Sequence, residues 1–359
     1  MSRIVRRIKI LSKLALSIIQ ARITGKRRPV FIGLYITNRC NLRCAYCFVN
    51  MEDRFDDPSR AGFSGDQVLE LVDQLYERGT RWIFLLGGEP VMHPEIRRIV
   101  RHIVDKGILL HILTNGTLIE QKIDDIEAAD GVCISIDGGE ESTDAMRGKG
   151  TFRRALRGVE IALSRGMKVR IHAVLNRHSM GEMESLAEMA REMGVSITIS
   201  PPNFLGQADD PALEVSPEEY KDFYRRYRGL KERGFPISNS YYSIDKAIDW
   251  PVGYHEFIRK GEIYEGYEPL PCVIGELHGC IDAEGTMFNC IQLGCLEGLN
   301  INEVGLDRAW EELPQRRPDC VSCASVNTIE TAAYLNLLPA IYRDGLRFFL
   351  GRHGAGKGR

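Results

Sequence analysis

Six short apolar runs punctuate the first part of the chain, at residues 30–36, 82–86, 109–113, 131–136, 169–175 and 196–200, each followed by a longer stretch of different periodicity. Short, mainly apolar runs of this length read as buried strands, which is the signature of a parallel sheet. Between them, apolar residues recur at helical spacing over 64–78, 94–106, 118–128, 152–165 and 181–193, and Gly79, Gly107, Gly166 and Gly194 supply stop signals. A β/α unit repeated with single crossovers builds a curved parallel sheet or barrel. The alternation ends near Pro201, and after a helical pattern over 217–232 the chain turns rich in Gly, Pro, Tyr and Cys to about Cys323. That composition suggests a small region ordered by metal more than by a large core.

Folds of this kind place their chemistry on the loops that follow the strands. The unusual sequences of this chain fall there: Cys40 to Cys47 after the first run, Gly87-Gly88-Glu89-Pro90 after the second, Thr114-Asn115-Gly116 after the third and Asp137-Gly138 after the fourth. The ten cysteines are bunched, with three between Cys40 and Cys47, six from Cys272 onward and Cys133 alone in an apolar run. With no convincing secretory signal, a reducing cytosol is expected, where clustered thiols are metal ligands more often than disulfides.

The run Cys40-Asn-Leu-Arg-Cys44-Ala-Tyr-Cys47 curls three thiols around one centre. Three ligands leave one position open for a substrate or cofactor, and a zinc knuckle with a distant fourth ligand is the competing reading. CxxxCxxC with Tyr46 before its last cysteine, followed after the next strand by Gly-Gly-Glu-Pro, resembles the radical S-adenosylmethionine superfamily. The resemblance implies an α/β fold, a partial (β/α)6 TIM-like barrel, in which Cys40, Cys44 and Cys47 hold a [4Fe–4S] cluster with S-adenosylmethionine at its open iron. It implies reductive cleavage of that cofactor to a 5′-deoxyadenosyl radical, which takes hydrogen from the substrate, and a small electron donor such as flavodoxin or ferredoxin. Carried over by motif, Tyr46, Gly88, Glu89, Ser135, Arg147, Val174 and Asn176 line the cofactor, with Glu89 facing the methionine amino group and Arg147 its carboxylate. His93, His111 and His172 lack metal-ligand spacing and are expected to be structural.

Further on, Cys272, Gly285 in a hairpin turn, Cys290 and the pair Cys320-Val-Ser-Cys323 resemble the SPASM/twitch extension of radical enzymes. No cysteine follows Cys323, so one auxiliary [4Fe–4S] cluster on Cys272, Cys290, Cys320 and Cys323 is expected, with Cys280 and Cys295 as possible substitutes. A zinc ribbon would use the same spacing. The resulting division is an N-terminal helix over 1–28, the barrel over 29–234, a small Fe–S domain over 235–330 and a C-terminal helix and tail over 331–359.

The net charge of −2 hides a strong asymmetry, because nine basic residues from Arg3 to Arg28 precede the first acidic residue, Glu52. Over 4–19 apolar residues alternate with these cations at helical spacing, as in a basic amphipathic helix, and residues 334–352 are similarly apolar and basic. Either the helices cap the barrel, or they hold the protein on an anionic membrane surface. No transmembrane span and no nucleic-acid module is expected. The substrate is expected to be a lipid or other small molecule, with peptide modification as the alternative and a non-catalytic iron–sulfur or zinc-binding protein as the reading from a different class.

Overall fold

The computed structural model describes residues 3–47, 62–201, 215–288, 290, 298–316 and 319–349. Cys295 and the tail from 350 onward lie outside the described residues. The chain opens with α1 (Arg3–Thr24), then runs β1 (Phe31–Tyr35), α2 (Gly65–Glu77), β2 (Trp82–Leu86), α3 (Ile96–Asp105), β3 (Leu109–Thr114), α4 (Ile119–Ile126), β4 (Gly131–Ser135), α5 (Glu140–Arg147) and α6 (Thr151–Ser164). It continues through β5 (Val169–Val174), α7 (Met183–Met193), β6 (Ser196–Ser200), α8 (Pro217–Glu232), α9 (Tyr241–Ile248), β7 (Phe257–Arg259), β8 (His278–Ile281), β9 (Thr286–Phe288) and β10 (Gly298–Asn300). The last elements are α10 (Ile301–Val304), α11 (Leu306–Glu312), β11 (Cys320–Cys323), α12 (Val326–Leu335) and α13 (Pro339–Phe349). All six expected strands form, two of them, β2 and β6, with the expected ends, and the fold is the partial (β/α)6 TIM-like barrel.

Local chemistry explains the elements. Ser64 and Gln67 close a capping box at the start of α2, and Ser216 and Glu219 do the same for α8, whose first residue is Pro217. Gly194 ends α7 at φ 69°, a left-handed conformation that costs glycine little. β1 and β4 are buried at every position, as strands covered on both faces must be. In β2 the fully buried Ile83 and Leu85 alternate with the partly exposed Trp82, Phe84 and Leu86.

Two compact units divide the chain. The first comprises residues 1–135, 147–169 and 274–317, the second 136–146, 170–273 and 318–359. In the first unit β1, β2, β3 and β4 pair in parallel, with Phe31 opposite Trp82, Trp82 opposite Leu109 and His111 opposite Gly131. On the other side of β1 lies β8, also parallel, with Phe31 opposite His278; β9 and β10 follow it antiparallel. The hairpin that the sequence reading placed in the small C-terminal domain thus extends the barrel sheet. Without β8 the fully buried β1 would present an open edge. In the second unit β5 and β6 pair in parallel, and β7 pairs antiparallel with β11.

α1 lies across the N-terminal ends of the strands of the first unit. Ser17 donates to the carbonyl of Gly79 just before β2 (3.0 Å), and Arg6 pairs with Asp130 just before β4 (2.7 Å). Ile10, Leu14, Ile18 and Ala21 are buried on this face, so α1 does cap the barrel. No helix among the described residues is long and apolar enough to cross a membrane.

Candidate active site

The three loops of the first unit that follow β1, β2 and β3 are hydrogen-bonded into one assembly. Gly88 N–H donates to the Thr37 carbonyl and Glu89 N–H to the Arg39 carbonyl, both at 2.7 Å. The Gly-Gly-Glu loop is therefore zipped, backbone to backbone, onto the segment leading into Cys40. Glycine is required at this approach: a Cβ on Gly88 would stand 2.5 Å from the carbonyl oxygens of both Asn38 and Arg39. From the other side, Asn41 Nδ2 donates to Thr117 Oγ1 (2.8 Å) and Asn115 Nδ2 to Asn41 Oδ1 (2.9 Å), tying the loop after β3 to the cysteine loop. A third tie comes from the β8–β9 turn, where Glu284 accepts from Asn38 Nδ2 (3.1 Å).

Glu89 sits at the centre, 1% exposed. Its Oε1 accepts from Val91 N–H (3.1 Å) and Thr114 Oγ1 (2.8 Å), and its Oε2 from Asn115 N–H (2.7 Å). Burial pushes the carboxyl up to about 7, against the lowering pull of these three donors. A carboxylate has about four acceptor positions, so Oε2 retains one for a further donor.

Cys40 interacts electrostatically with Glu89, Cys44 and Cys47, and burial pushes its thiol up to about 12. An iron ligand must be a thiolate, a form that the Leu42 N–H favours at Cys40 (3.4 Å) and that a bound cation would favour further. Among the described residues no three His, Cys, Asp or Glu side chains stand at metal-holding distances; the ligand reading therefore rests on loop position and on the mutual interaction of the thiols.

The structure brings two more expected residues together. The Arg147 guanidinium, at the end of α5 and buried, lies over the Tyr46 ring, 5.3 Å from its centroid. Ser135 is buried at the end of β4. In the second unit, Val174 ends β5 with its N–H bonded to the fully buried Asp137 carboxylate (3.0 Å). Asn176 is fully buried and holds its own turn: Oδ1 accepts from His178 and Ser179 N–H (2.9 and 3.0 Å), and Nδ2 donates to the Val174 carbonyl (3.0 Å).

Of the later cysteines, Cys272, Cys320 and Cys323 are gathered in the second unit. Cys272 N–H bonds the carbonyl of Val321 in β11 (2.9 Å), and burial, with the added charges of Cys272 and Cys320, pushes Cys323 up to about 12. Cys290 falls in the first unit. Cys280 lies on β8 in an apolar cluster with Tyr35, Ala283 and Phe288, its Sγ 3.0 Å from where a Cβ on Gly33 would stand.

Each of the three histidines is hydrogen-bonded within the protein: His93 Nε2 to the Phe63 carbonyl (2.9 Å), His111 Nδ1 to Trp82 Nε1 (3.1 Å) and His172 Nε2 to Ser200 Oγ (2.8 Å). On the first unit's sheet, Phe31 stacks between Trp82 and His278, each with ring centroids 4.3 Å away, and Phe84 stacks on His111 at 5.4 Å. Sequence reasoning missed this aromatic platform, and although it gave the loop at Asn115 a rim-shaping role, it missed Asn41 and Thr117 as that residue's partners in the mesh that positions the cysteine loop. For the mesh, the Thr-Asn-Gly-Thr sequence was the available signal.

The arrangement defines a class: an α/β partial barrel with its cysteine, Gly-Gly-Glu and Thr-Asn-Gly loops gathered at the C-terminal ends of β1, β2 and β3. Residues 34–190 match the Radical SAM superfamily, so the chain carries a radical SAM domain. It is 28% identical over 255 residues to the Fe-coproporphyrin III synthase of Methanosarcina barkeri, covering 67% of this chain and 62% of that relative's length. It is 25% identical over 308 residues to the mycofactocin maturase MftC of Mycobacterium ulcerans, covering 81% of this chain and 76% of the relative. Among solved structures, SuiB of Streptococcus suis bound to its precursor peptide SuiA superposes with a TM-score of 0.63 at 16% identity, over 83% of this chain and 68% of that one. The protein is an enzyme that uses a [4Fe–4S] cluster and S-adenosylmethionine.

Proposed function

We propose that Cys40, Cys44 and Cys47 hold the [4Fe–4S] cluster and that Tyr46, Gly88, Glu89, Ser135, Arg147, Val174 and Asn176 form the S-adenosylmethionine site, for hydrogen abstraction from a lipid or other small molecule at the membrane surface. The observation that carries the site assignment is the zipped contact of the 87–89 loop with the 37–39 segment, which fixes Glu89 beside Cys40. When bound, the reduced cluster supplies the electron that cleaves S-adenosylmethionine, giving a carbon radical strong enough to take hydrogen from an unactivated C–H bond. The protein's own part is positional. Glu89 offers its remaining acceptor to the methionine ammonium, and the Arg147 guanidinium, held over Tyr46, offers its planar donors to the carboxylate. Asp137 and the Asn176 turn fix the end of β5, where Val174 lies.

An auxiliary cluster on Cys272, Cys320 and Cys323 is supported by their mutual interaction in the second unit; Cys290 keeps its place in the set from the sequence pattern alone. Cys280, packed in the barrel core, serves better as a small hydrophobe than as a ligand. A small-molecule substrate is supported by the relative named for Fe-coproporphyrin III. A peptide is the second reading, favoured by the precursor peptide on SuiB. The test is anaerobic reconstitution, reduction by dithionite or flavodoxin, and quantitation of 5′-deoxyadenosine with lipid, porphyrin and peptide candidates in parallel. Failure of the cluster-loaded protein to form 5′-deoxyadenosine under every reductant rejects the assignment. Turnover only with peptide rejects the small-molecule reading.

A further inference from the structure

α1 has two apolar faces, and only one of them caps the barrel. At 100° per residue, the buried Ile10, Leu14, Ile18 and Ala21 point one way, Val5, Ile8, Leu16, Ile19 and Ile23 point away from them, and exposed Leu11 lies at the border beside Ile18. Leu11 and the five that point away account for six of the eight exposed large hydrophobic side chains among the described residues, with Ile8 60% and Ile23 80% exposed. An apolar face this concentrated marks an interaction site. Exposed Lys9 borders it, exposed Lys26 follows just after the helix end, and half-buried Arg22 lies at its edge.

We propose that this outward face of α1 docks the enzyme on an anionic bilayer, with the cluster-bearing loops turned away from it. The surface resting on the lipid is apolar with a net positive border, where Arg22 pairs with Glu276 (3.5 Å) and Lys9 and Lys26 stand exposed, which complements anionic headgroups around an acyl layer. A symmetric contact with a second copy would instead bring two cationic rims together. The orientation follows from the first unit alone. α1 bonds the segments entering the strands, at Gly79 and Asp130, whereas Cys40 to Cys47 and Gly87 to Pro90 follow the strand exits. Strands of five residues, such as β2, separate those ends by about 17 Å, and the helix adds about 10 Å. The inference rests on the reading that this enzyme works at the membrane surface, and it narrows that reading. The docked enzyme takes a substrate that reaches the loops from the water side, so a lipid must leave the bilayer to react.

The test is co-sedimentation of the full, cluster-loaded chain with phosphatidylcholine vesicles, alone or in equimolar mixture with phosphatidylglycerol. Binding is expected only to the mixture, and it should fall about tenfold or more in Ile8→Asp with Ile19→Asp, whose side chains are already exposed. If that variant misfolds by circular dichroism, Lys9→Glu with Lys26→Glu tests the charged rim instead, with the same expected loss. Hydrogen exchange on vesicles should slow over residues 5–23 and stay unchanged over 87–90. No binding to the mixture, binding indifferent to both variants, or protection of 87–90 instead of 5–23 overturns the proposal. So does a dimer in solution that the Ile8→Asp, Ile19→Asp variant dissolves. 5′-Deoxyadenosine formation by that variant in solution should match the wild type. Vesicle binding without any 5′-deoxyadenosine would therefore fault the catalytic reading and leave the docking face standing.

Discussion

Replacing Gly88 by Ala tests the joint between the cofactor loop and the cluster loop. The new methyl carbon would lie 2.5 Å from two carbonyl oxygens and 2.8 Å from the Arg39 carbonyl carbon, closer than real side chains approach. The two segments must part, and the bonds from Gly88 N–H to Thr37 and from Glu89 N–H to Arg39, both 2.7 Å, lengthen or break. At about 0.5–1.5 kcal/mol net for each bond, the expected loss is about 1–3 kcal/mol of unfolding free energy. Cys40 follows Arg39 directly, so the same displacement should lower the iron retained after anaerobic reconstitution. Urea denaturation followed by far-UV circular dichroism reads the first effect, and iron and sulfide analysis the second. Gly181→Ala is the control, since a Cβ there meets nothing within 4 Å; its change should stay within about 0.5 kcal/mol. If Gly88→Ala behaves like Gly181→Ala in both assays, the close approach does not hold the cluster loop and the reasoning fails.

Cys40→Ala should abolish 5′-deoxyadenosine formation and remove one cluster's iron. Cys280→Ala, in the packed group with Tyr35 and Phe288, should leave the iron content intact and cost about 1 kcal/mol of stability; loss of iron from Cys280→Ala would make it a ligand after all. Arg147→Ala removes the guanidinium over Tyr46 and should weaken S-adenosylmethionine binding measured by calorimetry, while Arg147→Lys recovers only part because it lacks the planar donor set. Burial beside Phe31 pushes His278 down to about 4. Its neutral form is favoured in the folded protein, so stability present above pH 6.5 should drain away as pH falls towards 4, by roughly 2–3 kcal/mol in all. A stability–pH curve of His278→Phe that keeps the wild-type slope between those values would refute this.

What could be read in advance was what short-range pattern encodes. A short β-rich run between helical patterns announces a strand, apolar throughout in β2 and alternating Ser-Ile-Thr-Ile-Ser in β6, and so the bounds of both emerged from sequence, with the helices between strands ending near their glycines. The cysteine triad and Gly87–Pro90 were legible for a similar reason: three thiols in one tight loop and a Gly-Gly pair before a carboxylate are local statements of chemistry. α5, α9 and α12 were not recognised as helices: α5 and α9 run only eight residues each, and α12 carries weak apolar periodicity.

Tertiary structure decided whatever depended on partners distant in sequence. Nothing local to residues 278–281 says that they pair with β1 some 250 residues earlier in the chain, and that pairing puts the hairpin into the barrel sheet. The same pairing sets Cys280 against Gly33, which matters because a cysteine is equally a ligand and a small hydrophobe until its surroundings are known. The sequence alone established that α1 is apolar and basic. Only packing could divide its apolar residues between the barrel and the solvent, because periodicity reports which residues share a face and is silent about what that face meets.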